Sequence, residues 1–376
     1  MTTACFADTC DPLALPVPCG TLNSSRVVRK PGRIARIRAL TYDTVEVVVA
    51  CAADSPPIPA QAGQFATLAV EGIDAPRPYS FARDPRQEAP GEHTFFIRQV
   101  PGGAMSGWLA AGDRTGAEVE IAGPLGSFVL DTSATPMLVV AGGSGLSAVK
   151  ALVEAAARRG LRRDCLFLYG ARTQSDSYAA QELATVARAW HPDYRFELVE
   201  VLSDEPEASD WHGARGLVTD YLSASVLAAG ALVPGGFRAW LCGPPPMIDA
   251  ATRALDRAGV PATHIYRDVF ADLRSPAPVI DNRRCVLCDE CLVVKPVARC
   301  IVETAGDSPD TLARVSPGHS VGLYYGALVI DPDACIRCYA CISACPHGAI
   351  SPDFDPRTHT LRHAASRGVN ERPAST

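Results

Sequence analysis

The stretch Met137-Leu138-Val139-Val140-Ala141-Gly142-Gly143-Ser144-Gly145-Leu146-Ser147 decides how the centre of this chain folds. Five uncharged apolar residues in a row read as a strand buried on both faces, the mark of a parallel sheet. Glycines follow at once, and a helical run opens from Ala148. A strand that ends in glycines and enters a helix lets backbone N–H groups approach a dinucleotide pyrophosphate. A tight turn with no ligand is the plainer alternative; the strand–glycine–helix context favours phosphate. The same stretch is the best candidate for a membrane span. Its glycines and Lys150 interrupt it short of the roughly 18 apolar residues that a span needs.

Downstream, Cys165–Tyr169, Phe196–Leu202 and Arg238–Cys242 are three more strands with room for helices between them. This alternation predicts a doubly wound α/β domain over residues 134–272. Its last strand runs into Cys242-Gly243-Pro244-Pro245-Pro246-Met247, at the strand end where such sheets bind ligands. Upstream the rhythm is different. Thr44–Val49, Gln64–Val70 and Thr94–Arg98 are short strands separated by Pro56-Pro57, Gly63 and Pro101-Gly102-Gly103. Regular short strands predict a small antiparallel β-barrel over residues 26–133. Residues 1–25 are predicted to be a flexible leader, 273–280 a linker, and 361–376 a disordered polar tail. The fold class is therefore multi-domain: an antiparallel barrel, an α/β doubly wound domain and a small cysteine-rich α+β module at 281–360.

With 376 residues, two or three domains are expected at roughly 100–200 residues each. Hydrophobic residues at 47% and charged residues at 20% exclude wholesale disorder and coiled coil. The net charge of -6 argues against a nucleic-acid partner, which would need a basic face. No basic region precedes an apolar core at the N-terminus, so a cytoplasmic location is expected. In that compartment clustered cysteines point to metal rather than to disulfides.

Two segments of the barrel bear on flavin chemistry. Arg77-Pro78-Tyr79-Ser80 ends a strand. The arginine can fork onto a pyrophosphate, the tyrosine can stack on a flavin ring, and the serine hydroxyl can reach its N5. Gly102-Gly103-Ala104-Met105-Ser106-Gly107-Trp108-Leu109 follows a strand and opens a helix, which suits phosphate. Taken in order, Arg-x-Tyr-Ser, the Gly-x-x-Ser turn, Gly-Gly-x-Gly and Cys-Gly-Pro-Pro resemble the ferredoxin–NADP reductase superfamily over residues 27–270. Gly170-Ala171-Arg172-Thr173 and Trp211-x-Gly213-x-x-Gly216 are similar to it as well. The resemblance implies that Arg77, Pro78, Tyr79, Ser80 and the turn Gly102, Gly103, Ala104, Met105, Ser106 bind FAD. It implies that Gly142, Gly143, Ser144, Gly145 and Leu146 line the nicotinamide dinucleotide. Cys242, Gly243 and Pro244 would sit beside the nicotinamide, and Phe270 near the flavin. Cys242, Tyr79, Ser80 and Phe270 are thus the expected catalytic set. This chain departs from the family at Ala148, where a proline is frequent, and at Asp268, where a glutamate is frequent.

Eight of the 14 cysteines lie between Cys285 and Cys345. Cys335-x2-Cys338-x2-Cys341-x3-Cys345-Pro346 is the bacterial 4Fe–4S run, whose fourth cysteine reaches the other cluster in two-cluster ferredoxins. Cys285-x2-Cys288-x2-Cys291 is the matching first run, with Cys300 as its fourth member after eight residues rather than three. Cys285, Cys288, Cys291 and Cys345 are expected to hold one cluster, and Cys335, Cys338, Cys341 and Cys300 the other. Two zinc sites are the alternative. Ala327–Asp331 reads as the strand before the second run. Cys5, Cys10 and Cys19 lack the spacing of a plant-type 2Fe–2S site. Cys51 and Cys165 read as small core hydrophobes, and His93, His191 and His212 as surface or turn residues without acidic partners.

Hydride donors give two electrons together and iron–sulfur clusters take one, so a flavin between them splits the pair. The expected route runs from NADH through FAD and two 4Fe–4S clusters to an electron-acceptor protein, with the chain as the reductase component of a multicomponent oxygenase. An electron-transfer subunit of a hydrogenase-like complex is the second reading, and a zinc-stabilised interaction module the third. NADH is preferred to NADPH because Asp176 beside Arg172 would oppose a 2′-phosphate.

Overall fold

A computed structural model describes residues 27–52, 57–230, 232–233, 235–270, 275–304, 327–352, 354–355 and 360–361. The expected leader (1–25), most of the expected tail, much of the stretch between the two cysteine runs and Pro56 of the first turn lie outside the described residues.

The first sheet is antiparallel and built from β1 (Val28–Ala39), β2 (Thr44–Cys51), β3 (Phe65–Ala69), β4 (Arg77–Ser80), β5 (Glu92–Arg98) and β6 (Glu118–Leu125). Its order is β4-β3-β6-β1-β2-β5, and a bridge from Phe81 to Phe95 brings the two edges together. Register shifts at Ile34/Arg36 and Phe65/Thr67 bend the strands into that curve. Ile34, Val47, Val49, Phe81, Phe95 and Ile121 fill the interior, and helix α1 (Ala104–Ala110) supplies Met105 and Leu109 to it. Sequence reading overlooks β1 and β6. Arg29, Lys30, Arg33, Arg36 and Arg38 interrupt β1 with charge, and these residues lie on a strand whose outer face is solvated.

The second sheet is wholly parallel, in the order β10-β9-β8-β7-β11-β12. It comprises β7 (Met137–Gly142), β8 (Cys165–Ala171), β9 (Phe196–Leu202), β10 (Ala214–Arg215), β11 (Arg238–Gly243) and β12 (Ile265–Val269). Alternate residues of β7 enter different cores: Met137, Val139 and Ala141 face one, Leu138 and Val140 the other. That double burial is why the strand shows no polar alternation. Helices α2 (Leu146–Arg158) and α3 (Ala180–Ala189) supply the first core, and α4 (Val218–Tyr221) and α5 (Pro245–Arg257) the second. No helix among the described residues is long and apolar enough to cross a membrane.

The two sheets are joined by buried charge. Lys150 Nζ on α2 donates to Glu154 Oε1 at 2.6 Å and to the barrel carbonyl of Ala82 at 3.1 Å. Glu154 Oε2 accepts the N–H of Asp84 at 2.9 Å, and Arg158 donates to the Asp84 carboxylate at 2.5 Å. Lys150, read as a charge that breaks an apolar run, is a buried tie.

Past residue 274 the described residues form three small antiparallel pairs, one of them Phe354–Asp355 with Thr360–Leu361, which takes Leu361 out of the expected tail. β13 (Val279–Ile280) pairs with β16 (Ile350–Ser351), and β14 (Ile301–Thr304) with β15 (Ala327–Ile330). Val279 and Ile280 were expected in the linker; their strand pairing makes them part of the cysteine-rich module. His93 is another correction. It is buried in β5 with its ring 5.6 Å from that of Phe81, and burial lowers its pKa to about 4. His191 lies 3.9 Å from the Asp193 carboxylate, an acidic neighbour the sequence reading did not assign. Cys165 is buried as expected, and Cys51 is half-buried.

Removing one member of the Lys150–Glu154 pair strands a buried charge. Lys150→Met should cost about 3–5 kcal/mol in urea unfolding followed by circular dichroism. Lys150→Met with Glu154→Gln should recover most of that loss. A single variant as stable as the wild type would show that the pair is not desolvated.

Candidate active site and cysteine cradles

The parallel sheet changes direction between β7 and β11, neighbours in the sheet that are far apart in sequence. In open α/β sheets such a point is where a ligand crevice is expected, between the two loops that leave the strand ends. Both loops are the glycine segments singled out from sequence. A Cβ on Gly145 would lie 2.3 Å from the Cys242 carbonyl oxygen, and one on Gly142 would lie 2.4 Å from Met247 Sδ. The glycine turn is therefore seated directly on the Cys242-Gly243 backbone. Gly143 adopts φ +52, and Tyr178 donates from its hydroxyl to the Gly143 carbonyl at 3.2 Å. The neighbouring Tyr169 hydroxyl is buried with no hydrogen-bond partner among the described residues.

Two residues expected at the reacting centre, Ser80 and Cys242, are brought together from the two domains by Asp268. Ser80 Oγ donates to Asp268 Oδ2 at 3.4 Å, and Cys242 Sγ lies 3.7 Å from the same oxygen. The N–H of Phe270 donates to the Gly243 carbonyl at 3.1 Å, which holds that aromatic at the rim. Tyr79 precedes Ser80 on β4, and burial pushes its phenol pKa up. Burial likewise raises the Asp268 carboxyl, against the pull of its bonds to Cys242 and Ser80, to about 6. Sequence reading treated Asp268 only as a departure from the family; its shared contact with Ser80 and Cys242 depends on β12 pairing beside β11.

Arg77 lies on β4 with Nη1 donating to the carbonyls of Ala75 at 2.7 Å and Pro76 at 3.2 Å. Gly102 and Gly103 precede α1, and Ser106 Oγ accepts the N–H of Val100 at 3.1 Å, closing the turn that Ala104 and Met105 begin. Arg172 follows β8 and donates to Asp176 at 2.5 Å, to Asp43 at 3.4 Å and to the Tyr42 hydroxyl. The bond to Asp176 is the main reason the Arg172 pKa rises. Arg98 was missed from sequence. It pairs with Asp43 at 2.8 Å and lies 3.7 Å from where a Gly143 Cβ would stand, at the mouth of the crevice. Its only sequence signal is a cation ending the apolar strand Phe95-Phe96-Ile97.

The eight clustered cysteines divide into two sets of four. Cys285, Cys288, Cys291 and Cys345 line one cavity, and Cys300, Cys335, Cys338 and Cys341 line another. The last cysteine of each run thus crosses to the other set. Both runs wind alike: Leu287 and Asp289 flank Cys288 with φ +55 and +61, while Arg337 and Tyr339 flank Cys338 with φ +58 and +56. Such backbone is costly for side-chain-bearing residues and persists only where surroundings enforce it. Each run also follows an aspartate turn, with the N–H of Cys285 donating to the Asp281 carbonyl and that of Cys335 to the Asp331 carbonyl, both at 3.0 Å. Burial pushes the Cys291 thiol up to about 11 and the Cys338 thiol up to about 12. Four thiols around each of two cavities, in C-x2-C-x2-C runs, are a donor set that fits iron–sulfur cubes.

The barrel and the doubly wound sheet define a two-domain fold of the nucleotide-binding class, joined to a cysteine-rich module. Residues 32–130 match the oxidoreductase FAD-binding domain, residues 139–253 the oxidoreductase NAD-binding domain and residues 328–351 the 4Fe-4S binding domain. The chain is 38% identical over 237 residues to the xylene/toluene monooxygenase electron transfer component of Pseudomonas putida, covering 63% of this chain and 64% of that protein. It is 33% identical to the reductase component of the naphthalene 1,2-dioxygenase system of Pseudomonas putida, covering 65% and 70%. Among solved structures, an Amycolatopsis cytochrome P450 reductase superposes with TM-score 0.57 at 32% identity, covering 65% and 70%. The chain belongs to the ferredoxin reductase family of oxidoreductases. It spans 64% and 58% of the first two curated relatives, less than two thirds of their length.

The raised Asp268 carboxyl sets a pH dependence of known sign. A carboxyl raised from 3.8 to about 6 favours folding fully below its unfolded pKa, and that contribution is lost as pH rises through the folded value. Asp268→Asn should therefore gain stability relative to the wild type as pH rises from about 5 to 8, by at most about 3 kcal/mol. Urea midpoints of both proteins across that range check it; a gap that narrows with rising pH would refute the buried carboxyl.

Proposed function

We propose that the chain is an NADH-dependent reductase that takes electrons through FAD and two 4Fe–4S clusters to an oxygenase component. The observation that carries the reading is the division of eight cysteines into two four-thiol cradles on the same chain as the flavin- and nicotinamide-binding domains. FAD supplies the exchange between a hydride pair and single electrons, and the cubes carry those electrons singly. Relatives named as electron transfer or reductase components of oxygenases support an oxygenase as acceptor.

In this reading Arg77 and the turn from Gly102 to Ser106 hold the FAD pyrophosphate, while Tyr79 and Ser80 face the ring. Gly142, Gly143, Ser144, Gly145 and Leu146 carry the nicotinamide dinucleotide. Cys242, Gly243 and Pro244 close the crevice behind the nicotinamide. Ser80, Asp268 and Cys242 position the nicotinamide against the flavin; hydride transfer needs no base, so their role is alignment. Cys300 belongs with Cys335, Cys338 and Cys341, and its eight-residue spacing from Cys291 is absorbed by the loop between them. Reduced thiolates on iron suit a cytoplasmic setting.

NADH is the preferred donor because Arg172 is already neutralised. Asp176 holds its guanidinium at 2.5 Å, which would set that carboxylate against a 2′-phosphate; Asp43, 3.4 Å from Arg172, is paired with Arg98 at 2.8 Å. Asp176→Ala should shift the NADPH-to-NADH ratio of kcat/KM about tenfold toward NADPH. An unchanged ratio in steady-state assays would remove Arg172 from the 2′-position.

The relay itself is tested at Cys338, at the middle of the second run. Cys338→Ala should lose about four irons, one cube, and with them the reduction of an oxygenase component or of a haem protein. The flavin should still be bleached by NADH. Full partner reduction after that iron is lost would make the clusters structural.

A further inference from the structure

The two cradles are not placed equivalently. Ala340, between Cys338 and Cys341, is buried against Phe65 and Leu125 of the barrel, with Val27, Val294 and Cys338 packed around them. Phe65 stands directly across the ladder from Ser80 on one side and from Leu125 on the other. Ser80 in turn meets Asp268 and, through it, Cys242. One packed layer, Phe65 with Ala340, therefore separates the residues at the reacting centre from the Cys338 thiol. The docking is also pinned by a polar contact: Arg29 Nη2 on β1 donates to the Lys295 carbonyl at 3.3 Å. The other cradle lies away from this contact. Its middle cysteine, Cys288, is exposed, as are Leu287 and Asp289 on either side. The cradles share one core, since Cys291 and Cys341 belong to the same apolar cluster.

We propose that the cradles form an ordered relay, in which electrons enter through the set Cys300, Cys335, Cys338 and Cys341 and leave through the set Cys285, Cys288, Cys291 and Cys345 to a redox protein that approaches Cys288. This rests on the reading that the cradles hold 4Fe–4S clusters fed by flavin. The electrons balance: one NADH becomes NAD+ and a proton, and its two electrons pass singly inward-set to outward-set, reducing two one-electron acceptors. At each step the inner cluster is reoxidised as the outer is reduced.

Anaerobic rapid-freeze EPR after mixing with NADH tests the order on full-length protein loaded with FAD and iron. In Cys288→Ala the remaining, inner cluster should gain its reduced signal as fast as in the wild type. In Cys338→Ala the remaining, outer cluster should lose its NADH-driven signal and still be reduced by dithionite. The opposite pattern, or fast reduction by NADH in both variants, overturns the order. Should either variant lose both clusters, Ala340→Arg serves instead, because it wedges the docking contact and leaves all eight cysteines. With full iron, it should bleach its flavin normally and lose NADH-driven reduction of both clusters; normal cluster reduction overturns the proposal. Failure of the underlying reading looks different: wild-type protein without iron, or with clusters that NADH never reduces.

Discussion

The site depends on one close approach, that of Gly145 to the backbone of Cys242 and Gly243. Any side chain at Gly145 would place a carbon 2.3 Å from the Cys242 carbonyl oxygen, well inside contact distance. Because glycine permits it, the loop after β7 and the loop after β11 share one wall of the crevice. That contact sets where Cys242 points, and so fixes the line from Cys242 through Asp268 to Ser80 on the other domain. The reacting centre is thus an interface between domains, and its geometry is only as good as their docking.

The docking sets charge inside an apolar seam, in which Ala62, Ala82, Phe96 and Phe128 of the barrel domain share one core with Leu146, Val149 and Leu152 of α2. Lys150, Glu154, Asp84 and Arg158 form a continuous buried chain between α2 and the barrel. A second tie runs from Arg163 to Asp131 at 2.5 Å, with Arg238 on the other oxygen at 3.0 Å and the Arg163 guanidinium over the Trp240 ring. Buried pairs of this kind add little net stability over apolar packing. Their value is directional: apolar surfaces can slide, whereas a desolvated ion pair admits one register. For a centre in which Ser80 and Cys242 must meet one carboxylate, register matters more than stability.

Much of this was legible in the sequence, for identifiable reasons. Strands β7 and β8 announce themselves because burial on both faces disfavours charge, and the glycine turns because close backbone approach forbids side chains. The eight cysteines are legible because ligand spacing is dictated by the loop that must wrap them. β1 is not, since five cations line a strand whose inward residues are few. His93 misleads because a histidine between Glu92 and Thr94 carries no apolar signal, although the strand buries it. Asp268, Arg98 and the pairing of Arg172 with Asp43 are invisible for a deeper reason. Each joins residues 55 to 188 positions apart, and a single sequence has no period that registers such a meeting.

The departures from the cysteine repeat carry the last step. Were the first run a copy of the second, its fourth cysteine would follow Cys291 after three residues and a proline would come next. Instead eight residues intervene, and Ile301 enters β14. Both fourth cysteines still close similar turns, the N–H of Cys300 on the Val297 carbonyl at 3.2 Å and that of Cys345 on the Ile342 carbonyl at 3.3 Å. Two of the added residues, Lys295 and Pro296, line the cavity of Cys300, Cys335, Cys338 and Cys341. The added loop also serves the docking: Val294 packs beside Phe65, the Lys295 carbonyl takes the Arg29 bond, and Lys295 Nζ ties the loop back to the Ile301 carbonyl at 2.9 Å. A symmetric module would offer the barrel two equivalent faces. The lengthened loop gives it one, so the asymmetry in cysteine spacing is what decides which cradle lies against the flavin domain.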